Sequence, residues 1–90
     1  MGLVVMSKPV EPGVYRHYKG KLYYVRSLVR HSETGEKLVL YRPLYRCPEL
    51  YEEYGPEPQF VRPYASFFEF VVPHEQGTNL PVPRFEYVGP

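Results

Sequence analysis

The chain has 90 residues, a net charge of +1 and 43% hydrophobic residues. This length allows one domain with a modest core, and the composition excludes a largely disordered chain. No apolar run reaches membrane-spanning length, and the single cysteine, Cys47, excludes an intramolecular disulfide. Because the opening residues also lack the basic flank of a signal peptide, we expect a soluble, cytoplasmic protein with no membrane partner.

The predicted elements are short. Ten Tyr and five Phe favour half-buried sheet surfaces, while eleven Pro and seven Gly divide the chain into short segments. Lys19-Gly20 and residues 31–35 read as hairpin turns, since Gly tolerates positive φ. Six strands are predicted, at residues 15–18, 22–30, 38–45, 60–62, 69–72 and 84–88. Single helical turns are predicted at residues 48–54 and 64–68, within or beside loops at 46–59 and 74–82.

Six short antiparallel strands, tight turns and one late helical turn favour an all-β fold, a small and strongly bent SH3-like barrel. Closure into a barrel removes the exposed edges that an open sheet would leave. We expect one such domain over residues 13–88. An extended lead-in with little to pack, residues 1–12, precedes it, and residues 89–90 form a short tail.

Several motifs carry a family resemblance. The run PGVYRHYKG at residues 12–20, with Tyr23 and Val25 after it, resembles a small prokaryotic family of unknown function, domain of unknown function sixteen-fifty-three. The runs RHSET at 30–34, LY at 44–45 and VRP at 61–63, with Phe67 and Glu69 following, are similar to the same family. The resemblance implies an SH3-like barrel of about this length and brings no activity. One residue departs from it, since Phe60 stands where family members have Trp.

Turn lengths set the strand register and hence the side chains on each sheet face. A five-residue second turn gives two sets of cross-strand pairs. The inner pairs are Val29 with Val39, Ser27 with Tyr41, Val25 with Pro43 and Tyr23 with Tyr45. The outer pairs are Leu28 with Leu40, Tyr24 with Leu44 and Arg26 with Arg42. Two opposed arginines repel each other, so this pair needs an anion. Either a loop carboxylate (Glu49, Glu52 or Glu53) or a ligand carboxylate or phosphate can supply it.

The position of His17 depends on the first turn. A two-residue turn places it opposite Leu22 on the outer face. One more residue in the turn places it opposite Tyr23 on the inner face, with Tyr15 opposite Val25 and Arg16 outside. We favour the second arrangement, which makes His17 a hydrogen-bonded histidine at the rim of the sheet.

Charge is unevenly distributed along the chain. Residues 13–46 carry eight basic and two acidic side chains, whereas residues 47–90 carry two basic and seven acidic ones. Either the acidic half folds over the basic half or the basic half meets an anionic partner.

We expect a non-enzymatic binding module for a protein or peptide, held in a groove that the Tyr and Pro residues of the 45–64 segment can line. The candidate ligand-binding residues are Arg16, His17, Tyr24, Arg26, Arg42 and Tyr45. The alternative is RNA or single-stranded DNA bound by phosphate neutralisation and base stacking. Its candidate residues are Arg16, Tyr18, Tyr24, Arg26, Arg30, Arg42 and Arg46. The near-neutral whole domain argues against the alternative, because dedicated nucleic-acid binders are clearly basic.

Catalytic and metal-binding hypotheses are weaker. His17 and His31 lie near opposite ends of the second predicted strand, roughly 25 Å apart, so with His74 they make a poor ligand set. We expect no metal, no cofactor and no catalytic residues. The third functional hypothesis is a small enzyme that uses Cys47 and His17. The predicted register leaves about 10 Å between them, which is too far for a nucleophile and its base.

Overall fold

The structure is a computed structural model that describes residues 10–90. Most of the predicted lead-in, including the opening residues considered above for a signal peptide, lies outside this range. The described strands are β1 (Gly13–His17), β2 (Leu22–Arg30), β3 (Lys37–Pro43), β4 (Phe60–Pro63), β5 (Phe70–Val71), β6 (Val82–Pro83) and β7 (Phe85–Gly89). The helices are α1 (Tyr51–Tyr54) and α2 (Tyr64–Phe67), with 3₁₀ turns at Pro48–Leu50 and His74–Gln76. Both predicted helical turns are therefore present.

The strands form a five-stranded antiparallel sheet in the order β4-β3-β2-β1-β7 and a two-stranded sheet of β5 and β6. The all-β prediction is confirmed. The predicted closure into a barrel is not formed by residues 10–90, because β4 and β7 are the two outer strands of the larger sheet and do not pair with each other. The β6 strand lies in a segment predicted as loop. Its partner β5 is about a dozen residues away, so no local sequence pattern predicts the pairing of β5 with β6.

Each hairpin turn begins with a histidine that accepts hydrogen bonds from the turn's backbone. His17 Nδ1 accepts from the Lys19 N–H at 3.1 Å. His31 Nδ1 accepts from the N–H groups of Glu33 and Thr34 at 3.1 and 3.2 Å. The imidazole does here what an Asn or Asp side chain does in many turns. These two histidines are therefore accounted for by turn geometry.

The register of β1 against β2 differs from both predicted alternatives. Arg16 lies opposite Leu22 and Tyr15 lies opposite Tyr23, instead of Val25. The His17 N–H donates to the Lys21 carbonyl at 2.9 Å, so the turn has three residues, 18–20, and includes Tyr18. The preferred face of His17 is nevertheless right. Its ring packs 4.9 Å, centroid to centroid, from that of the buried Phe85.

The register of β2 against β3 was also predicted wrongly. The second turn has four residues, 32–35, instead of five, because the His31 N–H donates to the Glu36 carbonyl at 2.8 Å. In addition, a bulge interrupts the ladder between Val25 and Ser27. The observed pairs are Tyr23 with Pro43, Tyr24 with Arg42, Val25 with Tyr41, Ser27 with Leu40, Leu28 with Val39 and Val29 with Leu38. Arg26 is the extra residue of the bulge, so it does not face Arg42.

The core lies on one face of the larger sheet, where α2 covers it. Val25, Val39 and Phe67 are fully buried, and the Phe67 ring stacks on Phe85 with centroids 4.1 Å apart. Val10 is also buried in this cluster at 7% exposure, so the end of the lead-in packs more than expected. We call this side the inner face. The other side, the outer face, carries Arg16 beside Leu22 and Tyr24 beside Arg42.

Candidate functional site

A cleft of about 260 Å³ opens where β3 ends, and we call it the Arg42 cleft. The β4 strand pairs with β3 only as far as Tyr41 opposite Phe60. Beyond that point the returning chain contains Pro56 and Pro58, which cannot donate to a ladder, so the two segments separate. The cleft is lined by Arg42, Pro43, Leu44, Tyr45, Arg46, Tyr51, Pro56, Glu57 and Pro58.

Arg42 is the charged group of this cleft and is weakly compensated. Its nearest carboxylate within residues 10–90 is Glu57, with Nη1 and Oε1 3.9 Å apart. The Glu57 side chain is 68% exposed, so water screens the pair and it contributes little to stability. The Arg42 Nε–H is buried and has no hydrogen-bond acceptor among the described residues. Because Nε is buried, an anion added to the cleft would approach the Nη groups, whose carboxylate neighbour is distant and exposed.

Tyr45 and Tyr51 form an aromatic wall of the Arg42 cleft, and hydrogen bonds hold both side chains in place. The Tyr45 hydroxyl is 2.7 Å from that of Tyr23, and Lys21 Nζ lies 4.3 Å from the centre of the Tyr45 ring. The Tyr51 hydroxyl accepts a hydrogen bond from the Cys47 N–H at 3.3 Å. Burial, together with the hydrogen bond to Tyr45, raises the pKa of Tyr23 well above its ordinary value. Tyr23 therefore stays a neutral partner that holds the Tyr45 ring in place.

The predicted anion between Arg26 and Arg42 is not needed, because the bulge separates the two side chains. Arg26 is exposed and makes no ion pair within residues 10–90. The carboxylate beside Arg42 is Glu57, which is not one of the three loop glutamates considered above, Glu49, Glu52 and Glu53. Sequence reasoning missed Glu57 as an individual residue. The Pro-Glu-Pro run favours extended backbone at Glu57, but nothing in the run indicates that this side chain lies beside Arg42.

The six predicted ligand-binding residues do not all lie on one face of the sheet. Tyr45 and Arg42 meet in the Arg42 cleft, and Tyr24 is the cross-strand neighbour of Arg42 on the outer face. Arg16 lies on the same face one strand further on, opposite Leu22. His17 points away from this group, into the inner face. The structure thus brings together three of the six residues closely and places Arg16 nearby.

The residues predicted for nucleic-acid binding do not form one continuous surface. Arg46 lines the Arg42 cleft. Arg30 lies over the second turn, where its guanidinium would be 2.8 Å from a Cβ atom at Gly35. The Tyr18 ring packs at a tilt against that of His17, with centroids 4.6 Å apart. Tyr18, His17 and Arg16 line a separate cleft of about 280 Å³ next to β6 and β7. The predicted residues are therefore spread over several parts of the surface.

In the predicted Cys47–His17 pair, the lowered pKa of His17 suits a base, but the raised pKa of Cys47 disfavours the thiolate that a nucleophile requires. Burial raises the pKa of the Cys47 thiol, with the Glu49 charge acting in the same direction. Burial, followed by the charges of Arg62, Arg84 and Lys19, lowers the pKa of His17. Cys47 is 3% exposed and its Sγ lies 3.8 Å from the Tyr45 carbonyl oxygen. A buried, protonated thiol is a poor nucleophile.

Residues 10–90 contain no group of three or more His, Cys, Asp or Glu side chains placed to hold a metal ion. None of their helices is long and apolar enough to span a membrane.

Comparison with known proteins places the chain in a family. A family model described as a protein of unknown function, DUF1653, matches residues 13–87. The crystal structure of a DUF1653 protein from Bordetella bronchiseptica is similar to this chain, with 40% sequence identity and a TM-score of 0.72. The similarity covers 89% of this chain and 88% of that one. No curated protein matches. The resemblance noted in the sequence is confirmed, and the chain belongs to the DUF1653 family.

Proposed function

We propose that this protein is a non-enzymatic binding module that holds an extended, acidic peptide segment of a protein partner in the Arg42 cleft. The observation that carries the proposal is the weakly compensated guanidinium of Arg42 inside a cleft walled by Tyr and Pro. A cytoplasmic location suits this role, since Cys47 is a free thiol.

The chemistry of the cleft favours a carboxylate. A guanidinium presents a planar fork of donors that matches a carboxylate, and charge-assisted hydrogen bonds are the strong ones. Glu57 is exposed enough to move aside or to share the guanidinium with a second carboxylate. The ligand's negative charge thus replaces a contact that contributes little to the free protein.

The shape of the cleft favours a chain over a compact small molecule. Its volume of about 260 Å³ lies below the usual range for enclosed small-molecule sites. Tyr45, Tyr51, Pro56 and Pro58 offer flat apolar walls along which an extended peptide can lie. A segment passing through needs to place only one or two side chains inside.

The test is an NMR titration with two capped peptides, Pro-Asp-Ala-Leu-Pro and its Asn analogue, which differ in charge alone. We expect the Asp peptide to shift the amide signals of Leu44, Tyr45 and Arg46 and to bind about tenfold more tightly than the Asn peptide. Arg42→Gln should remove that preference, whereas Arg30→Gln, at the far turn, should leave it unchanged. Equal binding of both peptides, or a preference that survives Arg42→Gln, would contradict the proposal.

One observation favours a second candidate, RNA or single-stranded DNA. Tyr24, Arg42 and Arg16 lie on one sheet face on neighbouring strands, so a base can stack while phosphates are neutralised. Binding of this kind weakens steeply between about 50 and 200 mM salt. Titration of a short oligouridylate at both salt concentrations, read at Tyr24, tests it. Absence of shifts at the lower salt concentration would eliminate this candidate.

A further inference from the structure

A second, more apolar pocket lies beside the Arg42 cleft. It has a volume of about 210 Å³ and is lined by Leu50, Tyr54, Pro58, Gln59 and Phe60. Tyr54 is 62% exposed and makes no side-chain hydrogen bond to another residue of the 10–90 range. We call this the Tyr54 pocket.

The pocket and the cleft are neighbours. Pro58 is buried and lines both of them. Tyr51 lines the Arg42 cleft and Tyr54 lines the pocket, and both belong to the single turn of α1. Side chains three residues apart in a helix are adjacent, with Cβ atoms about 5–6 Å apart. The two recesses are therefore adjacent along α1 and share the wall formed by Pro58.

Their chemistry differs, and this difference indicates what a ligand must carry. The cleft has Arg42 and Arg46 for a carboxylate, whereas the pocket is lined by Leu50, Tyr54, Pro58 and Phe60, with Gln59 as its one polar residue and no charge. In an extended peptide, alternate side chains point the same way and lie about 6.6 Å apart. That spacing is close to the roughly 5–6 Å between Cβ atoms of neighbouring side chains on α1, so a peptide running along α1 can place alternate side chains in the two recesses.

We infer that the peptide recognised by this protein has two anchors two residues apart, an acidic side chain for the Arg42 cleft and an apolar side chain for the Tyr54 pocket. The inference rests on the proposed function and deepens it by naming the ligand as an acidic–apolar pair. It applies to either chain direction, because the contacts that define it are made by side chains.

The experiment measures Kd for a set of capped peptides by NMR or calorimetry. The set consists of Pro-Asp-Ala-Leu-Pro, its reversed order Pro-Leu-Ala-Asp-Pro, a leucine-free Pro-Asp-Ala-Ala-Pro, and an adjacent-anchor Pro-Ala-Asp-Leu-Pro. We expect one of the first two to bind about tenfold more tightly than the leucine-free and adjacent-anchor peptides, as burial of most of a leucine side chain implies.

Matched protein variants locate the apolar anchor. Tyr54→Ala should reduce the advantage of leucine over alanine in the ligand to about twofold or less. Tyr87→Ala, another exposed tyrosine but on β7, should leave that advantage intact. Because Tyr54 is largely exposed, its loss should not unfold the protein, and the amide spectrum of each free variant verifies this.

The outcomes separate the inference from the function on which it rests. If the peptides bind through Arg42 but leucine adds nothing, or adds as much in Tyr54→Ala, the two-anchor inference is overturned and the proposed function stands. A preference for the adjacent-anchor peptide overturns it as well. If no peptide shows binding that depends on Arg42, both fail. Tighter binding of an oligouridylate than of any peptide, weakened by Tyr54→Ala, also overturns the inference and assigns the pocket to a base.

Discussion

Two arginines on neighbouring strands, Arg62 and Arg42, show how differently the two faces of the sheet use the same side chain. On the inner face, Arg62 donates to the Ser66 hydroxyl at 3.1 Å and to the Tyr41 hydroxyl at 3.5 Å, and its guanidinium lies 5.8 Å from the Phe85 ring centre. On the outer face, Arg42 has a buried Nε–H without a partner within residues 10–90 and a carboxylate at 3.9 Å. The first arginine completes the fold, and the second is left with capacity for a ligand.

The largest effect is expected on the inner face. Phe67→Ala should lower the free energy of unfolding by about 3–5 kcal/mol, because it removes a fully buried ring that stacks on Phe85. Urea denaturation measures the loss. Leu22→Ala on the outer face, where the side chain is 39% exposed, is the control and should cost less than about 1 kcal/mol. Similar losses for the two variants would show that the faces are not energetically distinct.

The next largest effect is expected when Arg62 is replaced and compared with Arg42. Arg62→Gln should destabilise the protein by about 1–2 kcal/mol, since two side-chain hydrogen bonds are lost or weakened. Arg42→Gln should change the free energy of unfolding by no more than about 0.5 kcal/mol, because its ion pair is long and exposed. Denaturation of the two variants under the same conditions compares them. A larger loss for Arg42→Gln would reverse the assignment of roles.

A smaller effect is expected at the aromatic wall. Tyr45→Phe deletes one partner of the 2.7 Å hydroxyl pair with Tyr23 and should cost about 1 kcal/mol. Tyr54→Phe, in which the hydroxyl belongs to a largely exposed side chain, should be neutral within error. Thermal denaturation of both variants tests this. Equal midpoints would mean that the Tyr23–Tyr45 contact does not fix the wall of the Arg42 cleft.

The smallest effect concerns pH. Burial and the nearby charges of Arg62, Arg84 and Lys19 lower the pKa of His17 in the folded state from its ordinary 6.5. The unfolded chain therefore binds the proton first, and stability falls as pH drops through 6.5 toward the folded-state pKa. His17→Asn keeps an acceptor for the Lys19 N–H and should reduce this loss between pH 7.5 and 5.5. A loss of the same size in the variant would assign the effect to other groups.

Much of the fold could be predicted because its signals are local. Gly20 and Gly35 marked the two hairpin turns, and six of the seven described strands and both helical turns appear close to where periodicity and proline predicted them. The registers could not be predicted. Composition does not indicate the bulge at Arg26, and no local pattern indicates that Tyr18 belongs to the first turn. One extra residue on a strand moves every later side chain to a new partner.

The candidate site could also be predicted in part: its lining residues could, but their contacts could not. The Tyr and Pro residues of the 45–64 segment were expected to line a groove, and Tyr45, Tyr51, Pro56 and Pro58 do line a cleft. The pairing of Arg26 with Arg42 was wrong because it depended on the register. The association of Glu57 with Arg42 depends on how a loop returns beside the sheet, which is set by tertiary packing and not by any local pattern.

The pairing of β1 with β7 has a consequence for how this protein is made. It joins Tyr15 to Tyr87, residues near opposite ends of the described chain, and Phe85 completes the core. During synthesis the central hairpins can form early, but the core cannot close until Phe85 has left the ribosome. Contacts of such long sequence separation slow folding. Until then the apolar inner face of the nascent chain is exposed, and we expect chaperones to bind mainly at that stage.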